Sequence, residues 1–173
     1  MKLSHAIATV LGTGHLKPAS GTWGSAAGLL LAAVLHLLGG PILLVLALIA
    51  VWFAGLWAVR VETAGKDNHD PSEIVVDEVV GQWVAFLPVS IGTYVPFWMG
   101  HLETPAALTA LWPGWVTAFL AFRLFDIWKP GPVGRADRRN DATGVMLDDL
   151  IAGVFAALTV IVLAAFSHLV LMK

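Results

Sequence analysis

The sequence predicts an all-α membrane protein, a bundle of about four to five spans that forms one unit over residues 1–173. Hydrophobic residues make up 58% of the chain, and the mean hydropathy is +0.80. Charged residues make up only 13%, against about 25% in soluble domains. Five spans of roughly 20 residues would use about 100 positions, which leaves enough chain for loops but not for a second domain. Backbone in lipid must hydrogen-bond to itself, and strict alternation is absent, so helices are favoured over a barrel.

The first apolar region predicts a helical hairpin. No Asp, Glu, Lys or Arg occurs from Pro18 to Val59, and Gly39-Gly40-Pro41 interrupts this interval. Glycine and proline together mark a turn, so we expect two antiparallel segments, 26–38 and 41–59. The second segment has the length of a span, since 19 residues at 1.5 Å each cover about 28 Å. The first is short, which leaves open whether it crosses fully.

Three further uncharged stretches complete the predicted bundle: Val79–Gly100, Thr104–Phe122 and Leu150–Met172. With five crossings, the polar segments 1–25, 60–78 and 123–149 lie on one side of the membrane. Basic residues concentrate on the cytoplasmic side of membrane proteins. Nine of the ten Lys and Arg fall in these segments, and only Lys173 lies on the other side. The amino terminus and both long polar loops are therefore expected to face the cytoplasm.

Acidic residues are concentrated on the same predicted face. Eleven of the twelve acids lie within residues 62–78 and 126–149. The pair Asp77-Glu78 stands where the third span begins, and Asp148-Asp149 where the fifth begins, each pair between apolar residues. Ionised side chains are costly in a membrane and usually face a bundle interior or a wet cavity.

A third acid closes the fourth predicted span. Arg123, Asp126 and Lys129 follow one another at i, i+3 and i+6, which predicts that Asp126 lies beside both cations on one helical face. An interfacial ion pair alone would also explain the Arg–Asp spacing.

Two interpretations of the acids remain open at this stage. Acids at helix amino termini stabilise the helix dipole by roughly 0.3–1 kcal/mol, so the pairs could simply cap. Adjacent helical residues point about 100° apart, however, so one member can cap while the other faces inward. Carboxylate oxygens are the ligands that Mg²⁺ prefers. The acids predicted to be catalytic are Asp77, Glu78, Asp126, Asp148 and Asp149, and those predicted to bind Mg²⁺ are Asp77, Glu78, Asp126 and Asp149.

Cations near these acids are candidates for binding phosphate. Arginine can grip phosphate through two N–H groups, and lysine acts as a point charge. Arg123, Lys129 and Arg138 are the candidates here, although Arg138 fits equally well as an anchor for lipid headgroups. The segment from Gly12 to Ser25 is rich in Gly, Ser and Thr and precedes a helix, so it could present donors to an anion or allow close helix packing. Lys17 and Thr22 are its candidate phosphate-binding residues.

Four sequence blocks together resemble the phosphatidylglycerophosphatase A family. They are Gly12-Thr13-Gly14 to Pro18 with Gly21–Ser25, Ile74–Trp83, Phe122–Pro130 with Pro132, and Gly144–Gly153. The chain departs from the family pattern at Gly131 and at Ala142-Thr143. The resemblance implies Mg²⁺-dependent hydrolysis of phosphatidylglycerol phosphate to phosphatidylglycerol and inorganic phosphate, which supplies phosphatidylglycerol and cardiolipin. It also implies a multi-pass protein of the bacterial inner membrane, with its active site on the cytoplasmic face and a phospholipid as its substrate.

Two other classes of function are alternatives to this one. A cation- or proton-coupled transporter could use the same acids, but they lie at span ends and no inverted repeat is evident. A non-catalytic scaffold would not need acids clustered on one face. The net charge of −2 gives no basic excess for nucleic acid, and the absence of cysteine excludes thiol chemistry. The oligomeric state does not follow from the sequence.

Overall fold

Every regular element is helical in the computed structural model, which describes residues 1–66, 68, 70–101, 103, 105, 107 and 111–171. A short 3-10 helix, Thr13–His15, follows the first α-helix. The α-helices are α1 Leu3–Ala8, α2 Ser20–Thr63, α3 Val76–Trp98, α4 Trp112–Trp128, α5 Pro132–Asp137 and α6 Ala142–Leu171. The all-α prediction is confirmed.

The predicted hairpin is the 44-residue element α2. Its backbone leaves helical geometry at Gly39 and Gly40, and Gly40 has φ +63°, a conformation that glycine adopts without strain. Gly24 and Gly55 both pack beside the start of α3, whereas Gly40 packs on Tyr94 near the end of α3. The two segments are therefore antiparallel. The first begins at Ser20, not at residue 26, so its 19 residues cover about 28 Å.

The remaining long helices pack with the starts of α3 and α6 beside the end of α4. Gly81 of α3 packs on Phe122 of α4 and on Asp149 of α6, and Gly114 packs on Val89 further along α3. The starts of α3 and α6 and the end of α4 therefore meet at one end of the bundle. Helices α2, α3 and α6 are each long and apolar enough to cross a membrane.

Further predicted span boundaries move, and the second hairpin segment ends at Thr63, not at residue 59. Helix α3 begins at Val76, three residues before the predicted start, and α4 continues to Trp128, past the predicted end at Phe122. Helix α6 begins at Ala142, eight residues before the predicted Leu150. Residues 104, 106, 108–110 and 172 of the predicted spans lie outside the described residues. At these ends the helix extends beyond the uncharged stretch and carries charged residues with it. The start of α4 moves the other way, from the predicted residue 104 to Trp112.

The bundle is apolar inside and outside. Phe86, Phe122 and Leu44 are fully buried in its core. Leu37, Ile42 and Leu169 are among many large apolar side chains that are more than two-thirds exposed on its outer surface. Helices that are apolar on all sides are typical of membrane spans, and lipid would cover this outer surface.

The amino-terminal segment closes the polar end of the bundle. Ser4 Oγ donates to Glu62 Oε1 at 2.5 Å, which ties α1 to the end of α2. The Val75 amide donates to the Ala8 carbonyl at 2.9 Å, just before α3 begins. The three polar segments of the sequence therefore lie at the same end of the bundle, as predicted.

Candidate active site

Three carboxylates from two helices converge at this polar end. Asp77 and Glu78 lie in the first turn of α3, and Asp149 lies in the third turn of α6. One oxygen of each lies within 4.8 Å of the others. Asp77 and Asp149 are only 7% and 3% exposed, and Asp77 Oδ1 and Glu78 Oε2 have no hydrogen-bond partner among the described residues. We call these three residues the acidic trio.

Two glycines allow the trio to form. A Cβ atom on Gly153 would lie 2.4 Å from the Gly81 carbonyl oxygen, and one on Gly81 would lie 2.6 Å from the Asp149 carbonyl oxygen. Any larger residue at either position would force α3 and α6 apart. Small residues at helix crossings let backbones approach closely in membrane proteins. This crossing brings Asp149 against the first turn of α3.

Helix α4 contributes an ion pair at the edge of the trio. Arg123 donates to Asp126 in a short ion pair, and both side chains are about 15% exposed or less. Asp126 also lies within hydrogen-bonding reach of Asp149 and interacts electrostatically with Glu78. The predicted Arg123–Asp126 pair is therefore present, and it joins α4 to the acids of α3 and α6.

Asp148 lies in a different environment from its neighbour Asp149. Lys129 Nζ donates to Asp148 Oδ2 at 3.0 Å and also to Asp137. The prediction that Asp126 lies beside both cations is therefore wrong for Lys129. Helix α4 ends at Trp128, and Lys129 takes a left-handed conformation with φ +50°, so the helical spacing that would align it with Asp126 does not continue to Lys129.

The ammonium of Lys129 stays charged in this position. Burial by itself would lower its pKa, but the hydrogen bonds to Asp137 and Asp148 outweigh that effect and raise the pKa above its ordinary value. The site therefore holds two fixed positive charges, on Lys129 and Arg123, beside its five acids.

Capping does not explain the second acidic pair. Asp141 caps α6 instead, because the Gly144 amide donates to Asp141 Oδ1 at 2.6 Å. Asp148 and Asp149 lie two turns inside α6, where no free N–H groups remain to be capped. Asp77 and Glu78 do lie in the first turn of α3, where their charge also favours the helix dipole.

The other predicted phosphate-binding residues are not paired with the acids, although Thr22 follows Gly21, which packs against Glu78. Thr22 is half-buried in the first turn of α2, and Lys17 is exposed just before that helix. Arg138 is exposed at the end of α5. Among the contacts of the described residues, none joins these three side chains to the five acids.

Several site residues were not singled out from the sequence. Ser25 is fully buried and accepts a hydrogen bond from Arg123 Nη1 at 3.4 Å. Gln82 is fully buried one turn after Glu78. A polar cavity of about 270 Å³ borders Asp148 and is also lined by Asp137 and Asn140. The i, i+4 spacing of Glu78 and Gln82 was the one signal in the sequence, because it places both residues on one helical face.

The donor set fits a divalent cation. Five acids and two cations give a formal charge of −3 if all are ionised. Asp77 Oδ1, Glu78 Oε2 and Asp148 Oδ1 are buried without a partner among the described residues. Buried charges without partners are expensive, and hard cations such as Mg²⁺ take carboxylate oxygens as ligands. A divalent cation bound at the trio would supply ligand bonds to Asp77 and Glu78 and place positive charge near Asp148.

Comparisons with known proteins agree with this chemistry. The sequence model of the family described as Phosphatidylglycerophosphatase A matches residues 6–164. The chain belongs to this family. A Haemophilus influenzae relative named Phosphatidylglycerophosphatase A is 33% identical over 159 residues, which cover 90% of this chain and 85% of that protein. An Escherichia coli relative of the same name is 28% identical, over 88% and 78% of the two chains.

A third relative carries a different name. It is a Bacteroides thetaiotaomicron protein named "Putative phosphatidylinositol-3-phosphatase", 34% identical over 90% of each chain. No solved structure matches the chain. The resemblance found in the sequence is confirmed, and the protein is a phosphatase.

Proposed function

We propose that the protein removes the terminal phosphate of phosphatidylglycerol phosphate in a Mg²⁺-dependent reaction, releasing phosphatidylglycerol and inorganic phosphate. The observation that carries this proposal is the acidic trio, with one oxygen each from Asp77, Glu78 and Asp149 within 4.8 Å. Two relatives named for this activity support the choice of substrate.

The roles of the acids follow from their surroundings. Asp77, Glu78 and Asp149 would hold the ion, with Asp126 at its edge. Bound Mg²⁺ would neutralise charge on the phosphoryl group. Asp148 is outside the trio, and its Oδ1 has no partner among the described residues. We assign it as the base that takes a proton from the attacking water. An aspartyl-phosphate intermediate is the alternative, since carboxylates also act as nucleophiles.

The two fixed cations would stabilise the transferring phosphoryl group. Arg123 presents a guanidinium held by Asp126 and Ser25, and Lys129 presents an ammonium held by Asp137 and Asp148. Positive groups fixed before the reaction lower its barrier because they need no reorganisation. The water oxygen bonds to phosphorus as the bond from phosphorus to the lipid oxygen breaks. The departing oxygen takes up a proton, so the products are an alcohol and inorganic phosphate. Lys17, Thr22 and Arg138 would bind the headgroup beside these groups, because no ion pair with an acid holds them among the described residues.

The position of the site suits a lipid substrate. The acids lie at the polar end of a bundle whose outer surface is apolar, so a headgroup can enter while the acyl chains stay in the bilayer. Nine of ten basic residues lie in the polar segments of this end, which supports a cytoplasmic orientation in the bacterial inner membrane. Membership of a phosphatase family and the end location of the acids favour this function over a transporter.

The test is phosphate release from purified protein in detergent with phosphatidylglycerol phosphate, in the presence of Mg²⁺ or EDTA. Phosphatidate and phosphatidylinositol 3-phosphate serve as competing substrates, the second because of the name of the Bacteroides relative. We expect release that needs Mg²⁺ and is fastest with phosphatidylglycerol phosphate. Release undiminished by EDTA would contradict the metal dependence, and preference for another lipid would contradict the substrate.

A matched pair of variants separates the site from its surroundings. Asp149→Asn removes one trio carboxylate and should abolish release. Asp141→Asn changes an exposed acid near the start of the same helix and should leave release nearly unchanged. Equal losses in the two variants would contradict the proposed site.

A further inference from the structure

Gln82 is the most unusual buried side chain outside the acids. It is 0% exposed, and neither its Oε1 nor its Nε2 has a hydrogen-bond partner among the described residues. A buried amide without partners is costly, because both its donor and its acceptor lose their bonds to water. Leucine or methionine would fill the same volume without this cost, so packing alone does not account for a glutamine.

The neighbours of Gln82 belong to the site. On α3 it follows Glu78 by one turn, and helical side chains lean toward the amino terminus, here toward Glu78. Across from them, α2 presents Gly21 to Glu78 and Arg123, and Gly28 to the Cβ of Gln82. Ser25, which accepts from Arg123, lies between these two glycines on α2. Arg123, Ser25 and Gln82 therefore form one polar layer with Glu78 of the trio.

The unpartnered atoms of this layer match in pairs. Glu78 Oε2 is an acceptor and Arg123 Nε is a donor, and both are buried without a partner among the described residues. The amide of Gln82 offers N–H donors on Nε2 and an acceptor on Oε1, which include the two complements required. One glutamine could thus serve a carboxylate and a guanidinium together.

We infer that Gln82 is a positioning residue that bridges the Glu78 carboxylate and the Arg123 guanidinium when the site binds its ion and substrate. Its Nε2–H donates to Glu78 Oε2, and its Oε1 accepts from Arg123 Nε–H. The bridge would fix a proposed ion ligand and a proposed phosphate-binding group relative to each other. This inference rests on the proposed function for the roles of those two partners.

The test is Gln82→Leu, with Ser90→Ala as the matched control. Both residues are fully buried in α3, but Ser90 Oγ is hydrogen-bonded to His36 Nδ1 at 2.8 Å, far from the acids. Without metal, Gln82→Leu should unfold at or above the wild-type temperature, because it removes only unpartnered groups. Ser90→Ala should unfold at a lower temperature, because it leaves buried His36 Nδ1 without its partner, while Thr93 Oγ1 stays 3.4 Å from Nε2.

The responses to Mg²⁺ should be altered in Gln82→Leu and unaltered in Ser90→Ala, the reverse of their metal-free stabilities. In Gln82→Leu the Mg²⁺ concentration for half-maximal phosphate release should rise about tenfold or more, the size typical of losing a partner of a metal ligand. The rise in unfolding temperature produced by Mg²⁺ should shrink as well. Ser90→Ala should match the wild type in both responses to Mg²⁺.

Each contrary result is informative. Gln82→Leu with a wild-type response to Mg²⁺ would overturn the inference. So would a metal-free loss of stability in both Gln82→Leu and Gln82→Met, because the amide would then serve folding. A wild-type protein that releases no phosphate would refute the proposed function instead, while the Mg²⁺-induced shift in unfolding temperature would still test Gln82.

Discussion

Replacing Lys129 by methionine should lower the stability of the metal-free protein and tighten its binding of Mg²⁺. Lys129 Nζ lies 3.0 Å from Asp148 Oδ2, and unit charges at that distance attract by about 5.5 kcal/mol at an effective dielectric constant near 20. Solvent reduces this value, since the side chains of Lys129 and Asp137 are 30% and 39% exposed, but that of Asp148 is only 7% exposed. The bond to Asp137 therefore adds under about 1 kcal/mol. The cost of leaving Asp148 unpaired is the larger effect, so we expect the free energy of unfolding to fall by about 2 to 3 kcal/mol.

The sign of the Mg²⁺ effect makes this prediction specific. Removing a positive charge leaves the site more negative, so Mg²⁺ should bind the Lys129→Met variant more tightly and restore much of its stability. The KM for the phosphorylated lipid should rise, because a cation facing the phosphate is lost. Unfolding in detergent across a Mg²⁺ series gives the first result, and initial rates of phosphate release give the second. Lys129→Arg keeps the charge and is the control. Metal-free stability equal to wild type, or weaker Mg²⁺ binding, would refute this reasoning.

Four other substitutions test three separate parts of the account. Asp126→Asn should abolish phosphate release without preventing membrane insertion, as measured by phosphate assay and membrane fractionation. Arg139→Gln should reduce phosphate release only slightly, because the ion pair of Arg139 with Asp141 is exposed. Equal losses of activity in the two variants would contradict the assignment of Asp126 to the site. Gly81→Ala should cost about 1–3 kcal/mol in chemical unfolding, because its methyl group would meet the Asp149 carbonyl, and an unchanged midpoint would contradict the close crossing. Asp141→Ala should cost about 1 kcal/mol at pH 7 through loss of the α6 cap. The Arg139 side chain holds the pKa of Asp141 below its usual range, so in unfolding measured against pH this difference should persist on acidification and vanish only as the pH falls through that lowered pKa.

The hairpin and the shared face of the acids could be predicted from local features of the sequence. A charge-free interval interrupted by Gly39-Gly40-Pro41 predicts a helical hairpin in a membrane, and the turn of the hairpin lies at these two glycines. The grouping of the polar segments followed from the alternation of spans. It brought Asp77 and Asp149 to one end without any knowledge of how the helices pack.

The start of α6 could not be predicted in the same way. Hydropathy reports where lipid can surround a helix, but Asp141 caps α6 nine residues before the uncharged stretch begins at Leu150. The helix therefore carries Asp148 and Asp149 in its interior. An apolar window cannot distinguish such an extension from a loop.

Contacts between distant segments could not be predicted from the sequence either. The i, i+3 rule placed Asp126 beside Lys129, but the rule holds only while the helix continues, and α4 ends at Trp128. Lys129 then pairs with Asp137 and Asp148, which the left-handed turn brings within reach. The unpartnered amide of Gln82 is likewise visible only once α2 is packed against α3.

The most direct test of the acidic trio is a count of bound ions. Mn²⁺ can replace Mg²⁺ at oxygen sites, and its paramagnetism allows free and bound ions to be measured on purified protein in detergent. We predict one tightly bound ion per chain that Mg²⁺ displaces, and loss of that ion in both Asp77→Asn and Asp149→Asn but not in Asp141→Asn. Binding of equal number and strength in all four proteins would contradict the claim that these carboxylates hold a metal.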